Sequence, residues 1–119
     1  MKFTLDKRSL HNRAEMFIKY DEIELMEFFE TEPIFIGDEE AGECMYVRRQ
    51  GDFKIILVIS TYEMYIKVSV SYKENVIYSE KHSSISGIER IDKNTLKVSS
   101  DNHDIVIINA PQIGVFVEE

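Results

Sequence analysis

From Met64 to Lys73 the chain alternates without a break, Met64, Ile66, Val68, Val70 and Tyr72 against Tyr65, Lys67, Ser69, Ser71 and Lys73. A period of two held over ten residues gathers its apolar side chains on one face only when the backbone is extended, so the segment reads as a half-buried antiparallel strand. The preceding FKIILVIS (Phe53 to Ser60) is more uniformly apolar, as expected of a central strand covered on both faces. Further strands are expected over Met45–Arg49, Val76–Ser79, Ser84–Ile91, Leu96–Ser99, Asp104–Asn109 and Gly114–Val117. Turn chemistry joins them at Gln50-Gly51-Asp52, Lys73-Glu74-Asn75, Asp92-Lys93-Asn94 and Asp101-Asn102. Such short joints cannot hold a crossover helix, which favours an antiparallel meander over βαβ units.

The N-terminal part carries a different period. Leu10, Ala14, Phe17 and Ile18 fall at i, i+4, i+7 and i+8, which predicts a helix over Ser9–Lys19 with Ser9 as its cap. A second helix is expected from Asp21, where Asp21 and Glu24 make a variant capping box and Leu25, Phe28 and Phe29 share one face near Met26. Pro33 sets its latest stop. One bent helix over both stretches is the alternative. The expected class is therefore α+β: one or two N-terminal helices packed on a curved, mainly antiparallel sheet of six to eight strands. With 119 residues, 44% hydrophobic, residues 1–119 are expected to form a single domain, helical over about 7–31 and β-rich over about 44–117.

Charge is distributed very unevenly. Between Lys19 and Arg48 there is no basic residue, while Asp21, Glu22, Glu24, Glu27, Glu30, Glu32, Asp38, Glu39, Glu40 and Glu43 are all acidic. Removing those ten from 22 acids leaves 12 against 14 Lys and Arg, a remainder of +2, so the net charge of -8 belongs to this one segment. On a helical wheel Glu24, Glu27 and Glu30 oppose Leu25, Phe28 and Phe29, and Tyr20 and Ile23 fall on the acidic side. The loop Gly37–Glu43 follows, bracketed by glycines and expected to be exposed. Such a surface is either solvated, as most acidic helix faces are, or a docking face for a basic protein, since crowded like charges are relieved on binding. The expected contact residues are Glu24, Glu27, Glu30, Asp38, Glu39, Glu40 and Glu43, with Tyr20 as an aromatic anchor. Reversing three of these charges is expected to weaken partner binding strongly and leave stability unharmed or improved.

The same charge argues against nucleic acid or an anionic membrane as partner. A small basic patch of Lys7, Arg8, His11 and Arg13 does not change that, and is expected to pair with the acids of the next helix. His11, His82 and His103 lie on different expected elements without metal spacing and read as surface or turn residues. Cys44, the single cysteine, reads as a small buried hydrophobe whose acidic neighbours raise its pKa. The acidic loop lacks the alternating ligands of a calcium hand, and no phosphate-binding glycine loop or nucleophile elbow is present. No catalytic residue, metal, cofactor or small-molecule substrate is therefore expected. The longest apolar run, Ile55 to Ile59, is too short to span a membrane, and MKFTLDKRSL has charges where a signal peptide is apolar, so the expected location is the cytoplasm.

The helix and acidic loop EIELMEFFETEPIFIGDEE (Glu22 to Glu40), followed by the strand series from FKIILVIS, resemble the immunity proteins of bacterial polymorphic and contact-dependent growth inhibition toxin systems. The resemblance implies a non-catalytic protein that binds a cognate toxin domain, often a nuclease, and blocks its active site or another surface it needs. Carboxylates suit that role, because a nuclease presents basic residues to phosphate. Two other classes compete: a module that pairs an edge strand with another protein, and a small-ligand binder using the inside of a curved sheet. Neither accounts for the concentration of charge.

Overall fold

The computed structural model describes residues 16–38 and 41–118. Among them are one helix, α1 (Glu22–Phe29), and nine strands: β1 (Ile34–Phe35), β2 (Glu43–Gln50), β3 (Phe53–Ser60), β4 (Tyr65–Tyr72), β5 (Asn75–His82), β6 (Ile85–Asp92), β7 (Thr95–Ser100), β8 (Asp104–Ile108) and β9 (Gly114–Glu118). All pairings of these strands are antiparallel and run between neighbours in the chain. The turn between β4 and β5 places Lys73 and Glu74 at φ of 51° and 67°, the left-handed pair that matches the twist of a two-residue hairpin.

The strands do not make one curved sheet of six to eight. They make two, ordered β1-β2-β3-β4-β5 and β6-β7-β8-β9. The break falls at Ser83-Ser84, where Ser84 takes φ 58° and the backbone turns away from β5. Ile85 N then donates to Met64 O, and Asp101 N to Ser84 O, so the corner is held by long-range backbone bonds that no local glycine or proline announces. The unexpected β1 is only two residues long, too short for a period to show.

The core lies between the sheets. Ile55, Leu57, Ile59, Ile66 and Val68 from the first sheet meet Ile85, Leu96, Val98, Ile105 and Ile107 from the second, and Leu25, Phe28 and Phe29 of α1 complete it. β3 is central in its sheet as its apolar sequence implied, yet Ile56 and Val58 are only half-buried on the outer face, between the fully buried Ile55, Leu57 and Ile59. β4 keeps its alternation until the β4–β5 register shifts at Val70/Ser71. There Ser71 is buried and Tyr72 exposed, the reverse of the expected order, while the extra residue of the bulge, Ile77, belongs to β5.

The helix expected over Ser9–Lys19 is not continued into the described residues: 16–21 are non-helical, which also excludes one bent helix through to α1. Its earlier part, including Ser9, Leu10 and Ala14, lies outside the described residues, as does the basic patch Lys7, Arg8, His11 and Arg13. Ile18 and Lys19 form a strap between the sheets instead. Ile18 N donates to Thr61 O at 3.0 Å, Lys19 N to Ser86 O at 3.1 Å, and Ile88 N to Lys19 O at 3.0 Å. Gly87 permits this approach, since a Cβ there would stand 3.3 Å from the Lys19 carbonyl oxygen.

α1 begins where Asp21 Oδ1 accepts from Ile23 N at 2.8 Å. The second half of the expected capping box does not close on Asp21; Glu24 Oε1 accepts from the Arg90 backbone N–H instead, at 3.2 Å. The helix has no basic residue in its last turn. Its C-terminus is served from outside, Phe28 O accepting from Arg48 Nη1 at 2.8 Å and from Asn109 Nδ2 at 3.1 Å.

Candidate partner-binding surface

The acidic segment runs along α1, over β1 and into β2, and the fold brings counter-charges to it from far along the chain. Glu27 Oε1 accepts from Arg90 Nη1 at 2.7 Å, and Glu30 Oε2 lies 3.2 Å from Arg48 Nη1. Both arginine side chains are largely buried, while Glu27 and Glu30 remain exposed. The two carboxylates thus keep an open side toward solvent, but two of the charges that look unopposed in sequence are paired in space. Ile23, in the first turn of the same helix, is exposed at 62%.

The loop divides in two. Gly37 and Asp38 are exposed, and Glu39 and Glu40 lie outside the described residues. Glu43 belongs to β2 instead: half-buried, its Oε2 accepts from Ser60 Oγ at 3.2 Å and from Tyr65 Oη at 3.4 Å. Of the expected contact residues, Glu24, Glu27 and Glu30 therefore lie on or at the end of α1, Asp38 extends the same acidic stretch, and Glu43 is engaged within the sheet. Glu22 and Glu32, which the wheel argument passed over, are exposed.

Tyr20 is half-buried, with its hydroxyl 3.8 Å from Cys44 Sγ. Together with Glu22, Phe35, Gly42, Thr61 and Tyr62 these residues line a cavity of about 200 Å³ open to the surface. Burial pushes the Tyr20 phenol up to about 12 and raises the Cys44 thiol, and the Glu22 carboxylate adds to both shifts. Cys44 is the free, buried cysteine its surroundings implied, with burial ahead of nearby charge as the reason its thiol stays protonated.

Of the histidines, His11 lies outside the described residues and His103 lies in the turn before β8 as expected, but His82 does not follow the expectation. His82 is buried, not a surface residue, and the fold brings it to His103, with Nδ1 and Nε2 3.4 Å apart. Burial first, and His103 second, lower the His82 pKa. Among the described residues no group of three or more His, Cys, Asp and Glu is placed to hold a metal, and no helix is long and apolar enough to cross a membrane.

No protein-family model and no curated protein matches the chain. Among solved structures, it matches a chain of a contact-dependent growth inhibition toxin–immunity protein complex from Klebsiella pneumoniae 342. The two are 24% identical, the match covers 87% of this chain and 98% of that one, and the TM-score is 0.76. At this identity the likeness establishes a shared fold, present in nearly the whole of both chains.

Proposed function

We propose that this protein is an immunity protein that binds and neutralises a cognate toxin domain, without catalysis, through the acidic surface of α1 and the segment that follows it. The observation that carries the reading is the ten-acid segment lying on a fold shared with a chain of a toxin–immunity complex. The partner is a basic domain, a nuclease being the class whose phosphate-binding residues best match clustered carboxylates. Glu24, Glu27, Glu30 and Asp38 form the contact surface together with Glu39 and Glu40, and Glu22 and Glu32 widen it. The protein acts in the cytoplasm, where such a toxin does its damage, and needs no cofactor.

Strand addition remains as a second reading because β5 is an edge strand eight residues long, with Val76 and Ile77 exposed at 65% and 61%. One experiment separates the two. The tagged protein is retrieved from its native extract in low and in high salt, and what elutes is identified. A stoichiometric basic protein released by salt supports the acidic-surface inhibitor. A partner indifferent to salt supports strand addition, and no partner contradicts both.

A further inference from the structure

We propose that the cup formed by Tyr20, Phe35, Tyr62 and Glu22 is a socket for an arginine side chain of the bound protein. The proposal rests on the toxin-binding reading above and deepens it, supplying one defined anchor within a broad acidic face.

The walls come from separate places in the chain: Tyr20 from the strap and Glu22 from the start of α1, Phe35 from β1, Gly42 and Cys44 from the entry to β2, and Thr61 and Tyr62 from the turn after β3. Among the described residues, three of the lining side chains are aromatic, one is a carboxylate and none is basic. Burial raises the pKa of both the Tyr20 hydroxyl and the Cys44 thiol, so among the described lining residues the charge is that of Glu22. An anion has no counter-charge here. Among the described residues a divalent metal finds one carboxylate and too few ligands. A purely apolar side chain would leave Glu22 without a partner. A guanidinium satisfies both features, stacking on aromatic rings while its in-plane N–H groups donate to a carboxylate.

The place of Tyr62 in the cup depends on a glycine. Tyr62 is 63% exposed, yet its ring lies against Gly42, where a Cβ would come within 2.6 Å of Tyr62 Cδ2. Gly42 holds φ at +77°, a conformation that side chains rarely adopt, and its carbonyl accepts from Thr61 N at 2.9 Å. The missing Cβ at Gly42 therefore leaves room for the Tyr62 ring where it lines the cup.

The test is a heteronuclear NMR titration of the free protein with N-acetyl-arginine amide, with the neutral isostere N-acetyl-citrulline amide in parallel. The expected result is saturable shifts at the amides of Gly42, Thr61 and Tyr62, at least roughly fivefold weaker for citrulline. Glu22→Gln should weaken arginine binding by about fivefold and Tyr62→Ala should abolish the local shifts, while β7–β9 amides stay in place in both variants. Equal responses to the two probes, shifts that centre elsewhere on α1, or no response below roughly 100 mM would overturn the socket. The salt-release experiment answers separately: a basic partner without arginine shifts at the cup leaves the inhibitor standing and removes the socket.

Discussion

Arg90 Nη1 lies 2.7 Å from Glu27 Oε1, joining β6 to α1 across 63 positions of sequence. The same residue donates its backbone N–H to Glu24 Oε1, and its Nη2 to Lys93 O at 3.3 Å. Arg90 is thus the point at which the helix is tied to the second sheet. Arg90→Ala should lower unfolding free energy in urea by about 1–2 kcal/mol. Glu27→Gln, whose carboxylate is 59% exposed and well screened, should cost under about 0.5 kcal/mol. Reversing Glu27 or Glu30 would set a lysine against Arg90 or Arg48. The idea that such reversals leave stability unharmed therefore gives way to a modest loss, which equilibrium unfolding of Glu27→Lys measures directly.

Arg48 plays the matching part on β2, reaching both Phe28 O and Glu30. Its removal takes a cation from the helix C-terminus and packing from its aliphatic stem. Arg48→Ala should destabilise by about 2 kcal/mol. Asn109→Ala should cost less because Phe28 O keeps its arginine donor, and the double variant should lose more than the sum, a coupling readable from a double-mutant cycle.

Tyr46 is fully buried, and its hydroxyl has no hydrogen-bond partner among the described residues. Its ring stacks on Phe29 with centroids 5.4 Å apart. Tyr46→Phe keeps that stacking and removes a desolvated hydroxyl, so stability should be unchanged or raised by up to about 1 kcal/mol. A thermal scan showing a clear loss would mean that the hydroxyl has a partner after all.

His82 sets a pH dependence whose sign follows from its lowered pKa. The neutral ring is favoured in the folded state, so between the lowered value and the ordinary 6.5 the unfolded chain binds more protons. The stability associated with His82 is complete above that ordinary value and declines as pH falls toward the lowered one. His103 faces the ring and reinforces the effect, while Glu80 opposes it. Urea unfolding of the native protein and of His82→Gln, compared between about pH 7.5 and 5, should show the steeper loss in the native protein; equal slopes would contradict the assignment.

What could be read in the sequence is the part encoded locally. The ten-residue alternation pointed to β4, the continuous run to a central β3, and Asp21 with Leu25, Phe28 and Phe29 to α1, its start and its buried face. The corner at Ser84 escaped because its cause is a backbone bond to the β3–β4 turn, which leaves no mark in neighbouring residues. The acidic surface was legible as composition, but its arginines were not: Arg48 and Arg90 lie in strands whose register decides what they meet. Tyr62 carried a weak signal, an aromatic residue in the turn after β3, but its grouping with Tyr20, Phe35 and Glu22 exists only in the folded chain.

If acidic side chains bind a basic toxin domain, the complex must weaken as salt screens them. Affinity for the basic protein retrieved from the native extract should be measured by titration calorimetry at low and high salt, for the native protein and for Glu22→Gln combined with Glu32→Gln. The expected result is a one-to-one complex that weakens at least roughly tenfold with added salt, and a variant with native stability, weaker binding and a shallower salt dependence. A tight complex indifferent to both salt and substitution would contradict it.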